Sequence, residues 1–187
     1  MIEPRILKIE PPVVSCDPER ALYVQSHWYA VYTCANHERS VSDQLVSRGV
    51  EHFLPLYESV RRWKDRKVRL RLPLFPGYVF VYLALQNRLR VLQVAGVVRF
   101  VSFDGHPIAV PEEEVMRVRQ FLNEGFRVEP HRYLQAGRRV RVKTGPLAGI
   151  EGIFIRARKK CRIVVSMDLI MRSIAVEIDL ADVESVH

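Results

Sequence analysis

The change in hydrophobic period near residue 123 constrains the fold more than any other feature of this sequence. Over residues 27–122, aromatic and β-branched runs alternate with segments whose apolar residues follow helical spacing. From Gly137 onward the apolar residues instead alternate over short runs, which glycine and proline separate. Residues 123–136 keep neither period. The sequence therefore predicts two domains of different fold class joined by a linker.

The N-terminal unit is predicted to be an α+β sandwich, with helices packed on an antiparallel sheet. A strand begins at Trp28, and residues 37–48 form a helix with Glu38 in its first turn, where the helix dipole favours a carboxylate. Pro111 occupies the first helical position of another helix, and three glutamates follow it. We assign residues 27–122 to this domain.

The two ends of the chain have different characters. Residues 137–187 are predicted to form a small SH3-like β-barrel, because five short strands follow one another with tight turns between them. Within this unit, residues 163–180 fit strand alternation and also fit helical spacing. Residues 1–26 contain four prolines and no period, which predicts a mobile or loosely docked extension.

Positive charge is concentrated in one segment. The chain has 29 lysines and arginines against 21 acidic residues, a net charge of +8, which favours a polyanionic partner such as nucleic acid. Residues 61–71 contain seven basic side chains and one acidic one. We predict a β-hairpin here, with its tip near Lys64 and one basic face that neutralises phosphates without reading sequence. The alternative is a solvated edge strand that charge protects against aggregation. The candidate nucleic-acid-binding residues are Arg61, Arg62, Trp63, Lys64, Arg66, Lys67 and Arg69.

Several function classes are excluded by composition and motifs. The three cysteines form no C-x-x-C and no close pair, which excludes a disulfide framework and a zinc ribbon. The longest apolar run, Val79 to Leu85, is much shorter than the roughly 20 residues of a membrane-spanning helix. The phosphate-loop and hydrolase motifs are absent, and the histidines are scattered. We therefore expect a monomeric protein of the reducing cytoplasm that is not an enzyme, needs no cofactor or metal, and has no membrane partner.

Four segments carry a resemblance to a known family. Residues 28–32 read WYAVY, residues 74–81 read LFPGYVFV and residues 96–101 read GVVRFV. They resemble the N-terminal (NGN) domain of NusG-type transcription elongation factors. Residues 137–152, GRRVRVKTGPLAGIEG, resemble the KOW motif that opens the C-terminal domain of the same family. Both motifs in this order identify the chain as a member of that family over residues 27–187.

The resemblance implies a function. NusG-type factors bind RNA polymerase through an apolar face of the N-terminal domain, which packs on the clamp helices of the largest subunit, and they suppress pausing or termination. The basic segment would then lie near upstream or non-template DNA. The barrel recruits a second partner, such as a ribosomal small-subunit protein or the Rho termination factor. The implied polymerase-binding residues are Tyr32, Phe75, Pro76, Tyr78, Asn87 and Arg88. The implied partner-binding residues of the barrel are Leu169, Ile170, Met171 and Arg172. Trp28, Tyr29 and Phe80 are expected in the core instead.

Three alternatives stay open at this point. The chain resembles the specialised, operon-specific members of the family, of the RfaH and UpxY kind, in its strongly basic segment over residues 57–74 and in the residues of its motifs. A housekeeping factor is the alternative. A ribosome- or RNA-binding KOW protein is a second alternative, although it leaves residues 28 and 75–78 without explanation. The double period of residues 163–180 raises the hypothesis of a C-terminal domain that switches between helical hairpin and barrel.

Overall fold

The structure, a computed structural model, describes residues 23–62, 66–134, 137–157 and 160–186. The helices are α1 (Glu38–Ser47), α2 (Leu89–Leu92) and α3 (Glu112–Asn123). The N-terminal strands are β1 (His27–Thr33), β2 (Glu51–Phe53), β3 (Leu56–Arg62), β4 (Lys67–Pro73), β5 (Tyr78–Leu83), β6 (Val97–Phe100), β7 (Ser102–Phe103), β8 (His106–Pro107) and β9 (Ala109–Val110). The C-terminal strands are β10 (Val128–His131), β11 (Arg139–Val142), β12 (Glu151–Ala157), β13 (Lys160–Met167), β14 (Arg172–Ile178) and β15 (Val183–Ser185).

The central sheet of the N-terminal domain is antiparallel, in the order β2-β5-β1-β6, and β9 also pairs with β1. Because successive side chains of a strand point to opposite faces, β1 divides its residues between two cores. Tyr29 and Val31 lie among the buried side chains that include Val41 and Leu45 of α1. Trp28 lies on the opposite face. The sheet is therefore covered on both faces, as the sandwich prediction requires.

Helix α3 covers the second face of that sheet. Val115, Val118 and Phe121 are buried at helical spacing and belong to the same cluster as Trp28. Pro111, predicted at the first helical position, instead precedes the helix: its ψ of 129° is extended, and Glu112 is the first helical residue. Proline accepts this position because it fixes φ near −65° and needs no hydrogen-bond acceptor for an N–H group.

The C-terminal domain is a sheet of antiparallel strands in the order β10-β14-β13-β12-β11-β15. Residues 160–167 and 172–178, which carry the double period, are strands paired along their length. The first strand, β10, lies within the segment interpreted from sequence as a linker, and it pairs with β14 from Val128 to His131. The α+β class, with a second domain built from antiparallel strands, is thus confirmed.

The two domains contact each other through a continuous apolar cluster. This cluster contains Phe75 and Val118 of the first domain and Ile163 and Ile170 of the second. Only residues 124–127 separate α3 from β10. The backbone N–H of Phe126 donates to the carbonyl of Phe121, so this short connection folds back on the end of the helix.

Candidate functional site

Two tyrosines mark the open part of the sheet face that α3 covers elsewhere. Tyr32 on β1 is directly opposite Tyr78 on β5, and their ring centroids are 5.5 Å apart. Tyr32 is 40% exposed and Tyr78 is half-buried. Aromatic rings held on a rigid sheet are suited to fill the grooves of a partner helix. The pair therefore forms an accessible aromatic patch at the predicted polymerase-binding position.

The turn from Phe75 to Tyr78 places its residues at very different depths. Phe75 is only 1% exposed, and its ring meets Phe80 edge-on at 5.9 Å. Pro76 is exposed at the surface. Phe75 thus lies in the core of this arrangement and Tyr78 at its boundary. The sequence implies polymerase binding for Phe75 and Tyr78 alike, because the turn has no periodicity that separates inward from outward residues.

A buried carboxylate holds this turn. Glu38, in the first turn of α1, is 4% exposed, and its Oε1 accepts a hydrogen bond of 2.7 Å from the backbone N–H of Gly77. Gly77 has a φ of +85°, and a Cβ there would approach the Tyr32 ring to 3.2 Å. Glycine is therefore required here both by its conformation and by the closeness of the ring. Glu38 connects the helix to the turn that carries the aromatic patch.

Removal of the Glu38 carboxylate should loosen this turn. We expect Glu38→Ala to lower the free energy of unfolding by about 1–3 kcal/mol, because the Gly77 N–H loses its acceptor in a buried site. Glu38→Gln is the matched control: its amide oxygen can still accept the bond, so its loss should be smaller. Chemical denaturation measures both changes, and hydrogen exchange at the Gly77 amide should quicken in the alanine variant. Equal stabilities for the two variants would contradict this role.

The two polar residues predicted at a second polymerase contact follow β5. Asn87 is exposed at the end of a 3-10 helix, residues 85–87. Arg88 is half-buried, and its Nη1 donates to the hydroxyl of Tyr23 at 2.7 Å. The guanidinium carbon also lies 5.6 Å from the centre of the Tyr23 ring. A residue of the sequence's N-terminal extension therefore fixes the orientation of Arg88.

The predicted partner-binding residues of the barrel lie in and after the turn between β13 and β14. Ile170 is 4% exposed and Leu169 is half-buried, whereas Met171 is 64% exposed. Met171 has a φ of 48°, the left-handed region that a non-glycine residue seldom occupies. This backbone reversal turns Met171 outward while Ile170 joins the apolar cluster shared by both domains. In this arrangement the surface apolar residue is Met171.

The two predicted binding surfaces meet. The Arg172 guanidinium carbon lies 6.0 Å from the centre of the Tyr78 ring, within the range of a cation–π interaction. The Gln120 amide of α3 also donates to the carbonyl oxygen of Pro146 in the barrel. The barrel therefore occupies one edge of the aromatic patch, and a partner that needed the whole of Tyr78 would displace Arg172.

One carboxyl group at this interface, that of Glu114, has a raised pKa. Burial raises the pKa of Glu114 on α3, and the nearby charge of Asp168 in the barrel raises it further, while Arg117 opposes the shift. The Oε2 atom of Glu114 is buried without a hydrogen-bond partner. Asp168 accepts a hydrogen bond of 2.9 Å from the Tyr133 hydroxyl. The charge of Asp168 in the barrel thus adds to the burial that disfavours the ionised form of Glu114.

The basic segment folds as the predicted hairpin in its described part. Strands β3 and β4 pair from Leu56 and Pro73 up to Arg62 and Lys67, as a separate two-stranded sheet. The exposed face carries Arg62, Arg69 and Arg71, together with Glu58 and Val60. The other face is half-buried and carries Tyr57, Ser59, Val68, Leu70 and Leu72. Arg66 is exposed beyond β3, whereas Trp63 and Lys64 at the predicted tip lie outside the described residues, as do the side chains of Arg61 and Lys67.

Neither a metal site nor a membrane helix is found in the part of the chain that the structure describes. Over residues 23–62, 66–134, 137–157 and 160–186, histidine, cysteine and carboxylate side chains form no group of three or more that could hold a metal ion. None of the helices in those same ranges is long and apolar enough to cross a bilayer.

Comparison with known proteins decides the family. The family model described as transcription termination factor nusG matches residues 26–119, half of the chain. The chain belongs to the NusG family. It is 28% identical to the transcription termination/antitermination protein NusG of Deinococcus radiodurans, over 83% of this chain and 97% of that protein. The NusG of Pseudomonas aeruginosa is also 28% identical, over 85% of this chain and 98% of its own length.

The fold agrees with this family membership. A solved structure, reported as domain interaction in Thermotoga maritima NusG, superposes with a TM-score of 0.57 at 22% identity. The match covers 87% of this chain and 98% of that one. The resemblance inferred from the sequence motifs is thereby confirmed. Sequence reasoning missed Glu38 as a tertiary contact, although an acidic residue at a helix start followed by a distant F-P-G turn was visible in the sequence.

Proposed function

We propose that this NusG-family chain is a transcription elongation and antitermination factor that binds the clamp helices of RNA polymerase through Tyr32, Tyr78 and their turn. The family descriptions of transcription termination and antitermination support the class of activity. The observation that carries the binding mode is the aromatic pair Tyr32–Tyr78, partly exposed on two adjacent strands, with the turn before Tyr78 fastened to the adjacent helix by Glu38. A preorganised aromatic patch loses little side-chain entropy on binding.

The basic hairpin and the barrel complete the proposal. Arg62, Arg69 and Arg71 share one exposed face, which suits contact with the phosphates of upstream or non-template DNA beside the polymerase. The barrel would recruit a second partner, a ribosomal small-subunit protein or Rho, through the turn that includes Met171. We favour an operon-specific role because of the strongly basic hairpin, with a housekeeping factor as the alternative. A ribosome-binding KOW protein remains the competing class.

Tyr32→Ala is the variant that tests the polymerase contact. Truncation of an anchoring aromatic typically costs more than 1 kcal/mol, so we expect at least about five-fold weaker binding to core RNA polymerase. Phe103→Ala is the matched control, because Phe103 is an exposed aromatic outside this patch. Co-sedimentation or interferometry with purified polymerase measures both, and pausing on a simple template should change in parallel.

The outcomes separate the competing classes. If Tyr32→Ala binds polymerase like the unaltered protein, the aromatic patch is not the contact. If the unaltered protein does not bind polymerase but sediments with ribosomes, the elongation-factor proposal is wrong and the ribosome-binding class takes its place.

A further inference from the structure

A groove of about 560 Å³ lies at the open edge of the central sheet of the N-terminal domain. Strand β6 is the last strand on this side, and no strand of the described residues pairs with its outer edge. Arg99 of β6 is opposite Tyr32, on the face of the aromatic patch, whereas Phe100 belongs to the core on the other face. Both Arg99 and Phe100 line the groove, which therefore lies where the two faces of the sheet meet.

The groove combines a buried apolar floor with apolar side chains that are still exposed. Leu85 and Phe100, each 5% exposed, form the floor. Leu92 of α2 and Tyr23 also line the groove and are largely open to solvent, as is Leu89 beside them in sequence. Folded proteins usually cover an open strand edge of this kind with another segment, and exposed apolar surface beside it marks a contact site. The groove therefore has the character of a docking surface for an extended segment.

The charge of the lining indicates what such a segment must carry. Arg88, Arg99 and His106 line the groove, and none of the described residues that line it is acidic. Arg88 donates one hydrogen bond, to the Tyr23 hydroxyl, so other N–H donors of its guanidinium remain available. The side chains of Arg99 and His106 have no hydrogen bond or ion pair with other described residues. A fitting occupant therefore has carboxylates together with apolar side chains.

The chain itself contains such a segment immediately before the groove. Residues 10–19 read EPPVVSCDPE, with three acidic residues, no basic residue and two adjacent valines. Tyr23, the first residue that the structure describes, already lines the groove. Asp17 is six residues away from Tyr23, within about 20 Å along an extended chain. The three prolines of the segment reduce its freedom before docking, which lowers the entropic cost of binding. Because the segment is tethered, its effective concentration at the groove is about millimolar or higher.

We propose that residues 10–19 of the same chain dock in this groove, with Val13 and Val14 on the apolar floor and the carboxylates of Asp17 and Glu19 beside the arginines. The docking goes beyond the proposed function, because it is a property of the isolated chain. It has one consequence that rests on the proposed function: Arg88 is an implied polymerase contact, so the docked segment would control whether that contact is free.

The test measures how fast dilute trypsin cleaves the full chain after Arg20, which follows the docked segment directly. This rate follows the fraction of molecules in which the segment is undocked, provided that docking is fast relative to cleavage. Val13→Ser/Val14→Ser should quicken the cleavage about ten-fold, because it removes apolar burial. Arg99→Gln should quicken it about three-fold, since an exposed ion pair is weaker, and this variant leaves the sequence around Arg20 unchanged. Mass spectrometry of the products assigns the cleavage to Arg20.

Two matched controls accompany these variants. Ile6→Ser/Leu7→Ser removes an apolar pair of the same extension outside residues 10–19, and Arg132→Gln removes an exposed arginine of the other domain. Both should be cleaved after Arg20 like the unaltered chain. In NMR spectra of the Val13→Ser/Val14→Ser variant, the backbone amide signals of Phe100 and His106 should move, whereas in the Ile6→Ser/Leu7→Ser variant they should not.

Three results would overturn the proposal. The first is an equal rate of cleavage in the unaltered chain and in both groove-directed variants. The second is a faster cleavage of Val13→Ser/Val14→Ser while the Phe100 and His106 signals stay in place, which would locate the segment elsewhere. The third is protection that grows with protein concentration, which would mean that the segment occupies the groove of a second copy. None of these results bears on the proposed function, because polymerase is absent from the measurement.

Discussion

Phe75→Ala should lower the free energy of unfolding by about 3–5 kcal/mol, the usual cost of deleting a buried phenylalanine ring. The ring is 1% exposed and is in edge-on contact with Phe80, so its removal leaves a cavity and also ends an aromatic interaction. Chemical denaturation followed by circular dichroism measures the loss. Phe103→Ala, which removes a ring that is 75% exposed, should change the stability by less than about 0.5 kcal/mol.

This expectation changes how polymerase-binding experiments must be designed. A Phe75→Ala variant that fails to bind polymerase is ambiguous, because a destabilised N-terminal domain loses its surface as well as its core. Tyr32→Ala avoids the ambiguity, since Tyr32 is 40% exposed and its removal mainly affects the neighbouring Tyr78 ring. If Phe75→Ala were as stable as Phe103→Ala, the burial of Phe75 against Phe80 would be contradicted.

The sequence predicted those features that depend on local periodicity. The strand of Tyr29 and the helix containing Val41 follow from spacing alone, and the expected burial of Trp28, Tyr29 and Phe80 is confirmed. Phe75 could not be placed in the same way: it belongs to a turn, where burial depends on which distant elements happen to cover it. Ile170 is a second case, because the left-handed backbone at Met171 decides which of the two neighbours points outward.

Contacts between residues far apart in sequence were the other feature that sequence patterns could not predict. Glu38 was placed correctly at a helix start by the dipole argument, yet its partner Gly77 is 39 residues away. Strand β10 contains Pro130, which lacks an N–H group and weakens any strand pattern. It nevertheless pairs with β14, and Arg162 of β13 reaches Glu129 of β10 at 3.2 Å. Such pairing appears only when the barrel is assembled.

Removal of the polar contacts between the domains should strengthen polymerase binding. In the proposed function Tyr78 faces polymerase, but here it lies under Arg172 of the barrel, so closure of the two domains and polymerase binding compete. The contact from Gln120 to Pro146 and the cation–π contact are each worth about 0.5–1.5 kcal/mol. If the closed form predominates, Gln120→Ala/Arg172→Ala should therefore bind polymerase roughly 5- to 150-fold more tightly, because a larger fraction of molecules is competent to bind. Arg132→Ala is the control for loss of charge, and unchanged affinity in the double variant would contradict the competition.

The competition between domain closure and polymerase binding should depend on pH, and the raised pKa of Glu114 determines whether low or high pH favours closure. Burial and Asp168 raise the pKa of Glu114 in the closed arrangement, against the opposing charge of Arg117, so closure binds a proton more tightly than the separated domains do. Closure is therefore most favoured below the ordinary carboxyl pKa, and it is weakened as the pH rises through the raised value. NMR shifts of the Tyr78 ring should follow this opening on titration. Glu114→Gln, which keeps the shape and cannot ionise, should remain closed at neutral pH and lose the pH dependence; if the Tyr78 shifts titrate identically in the variant, another group controls the contact.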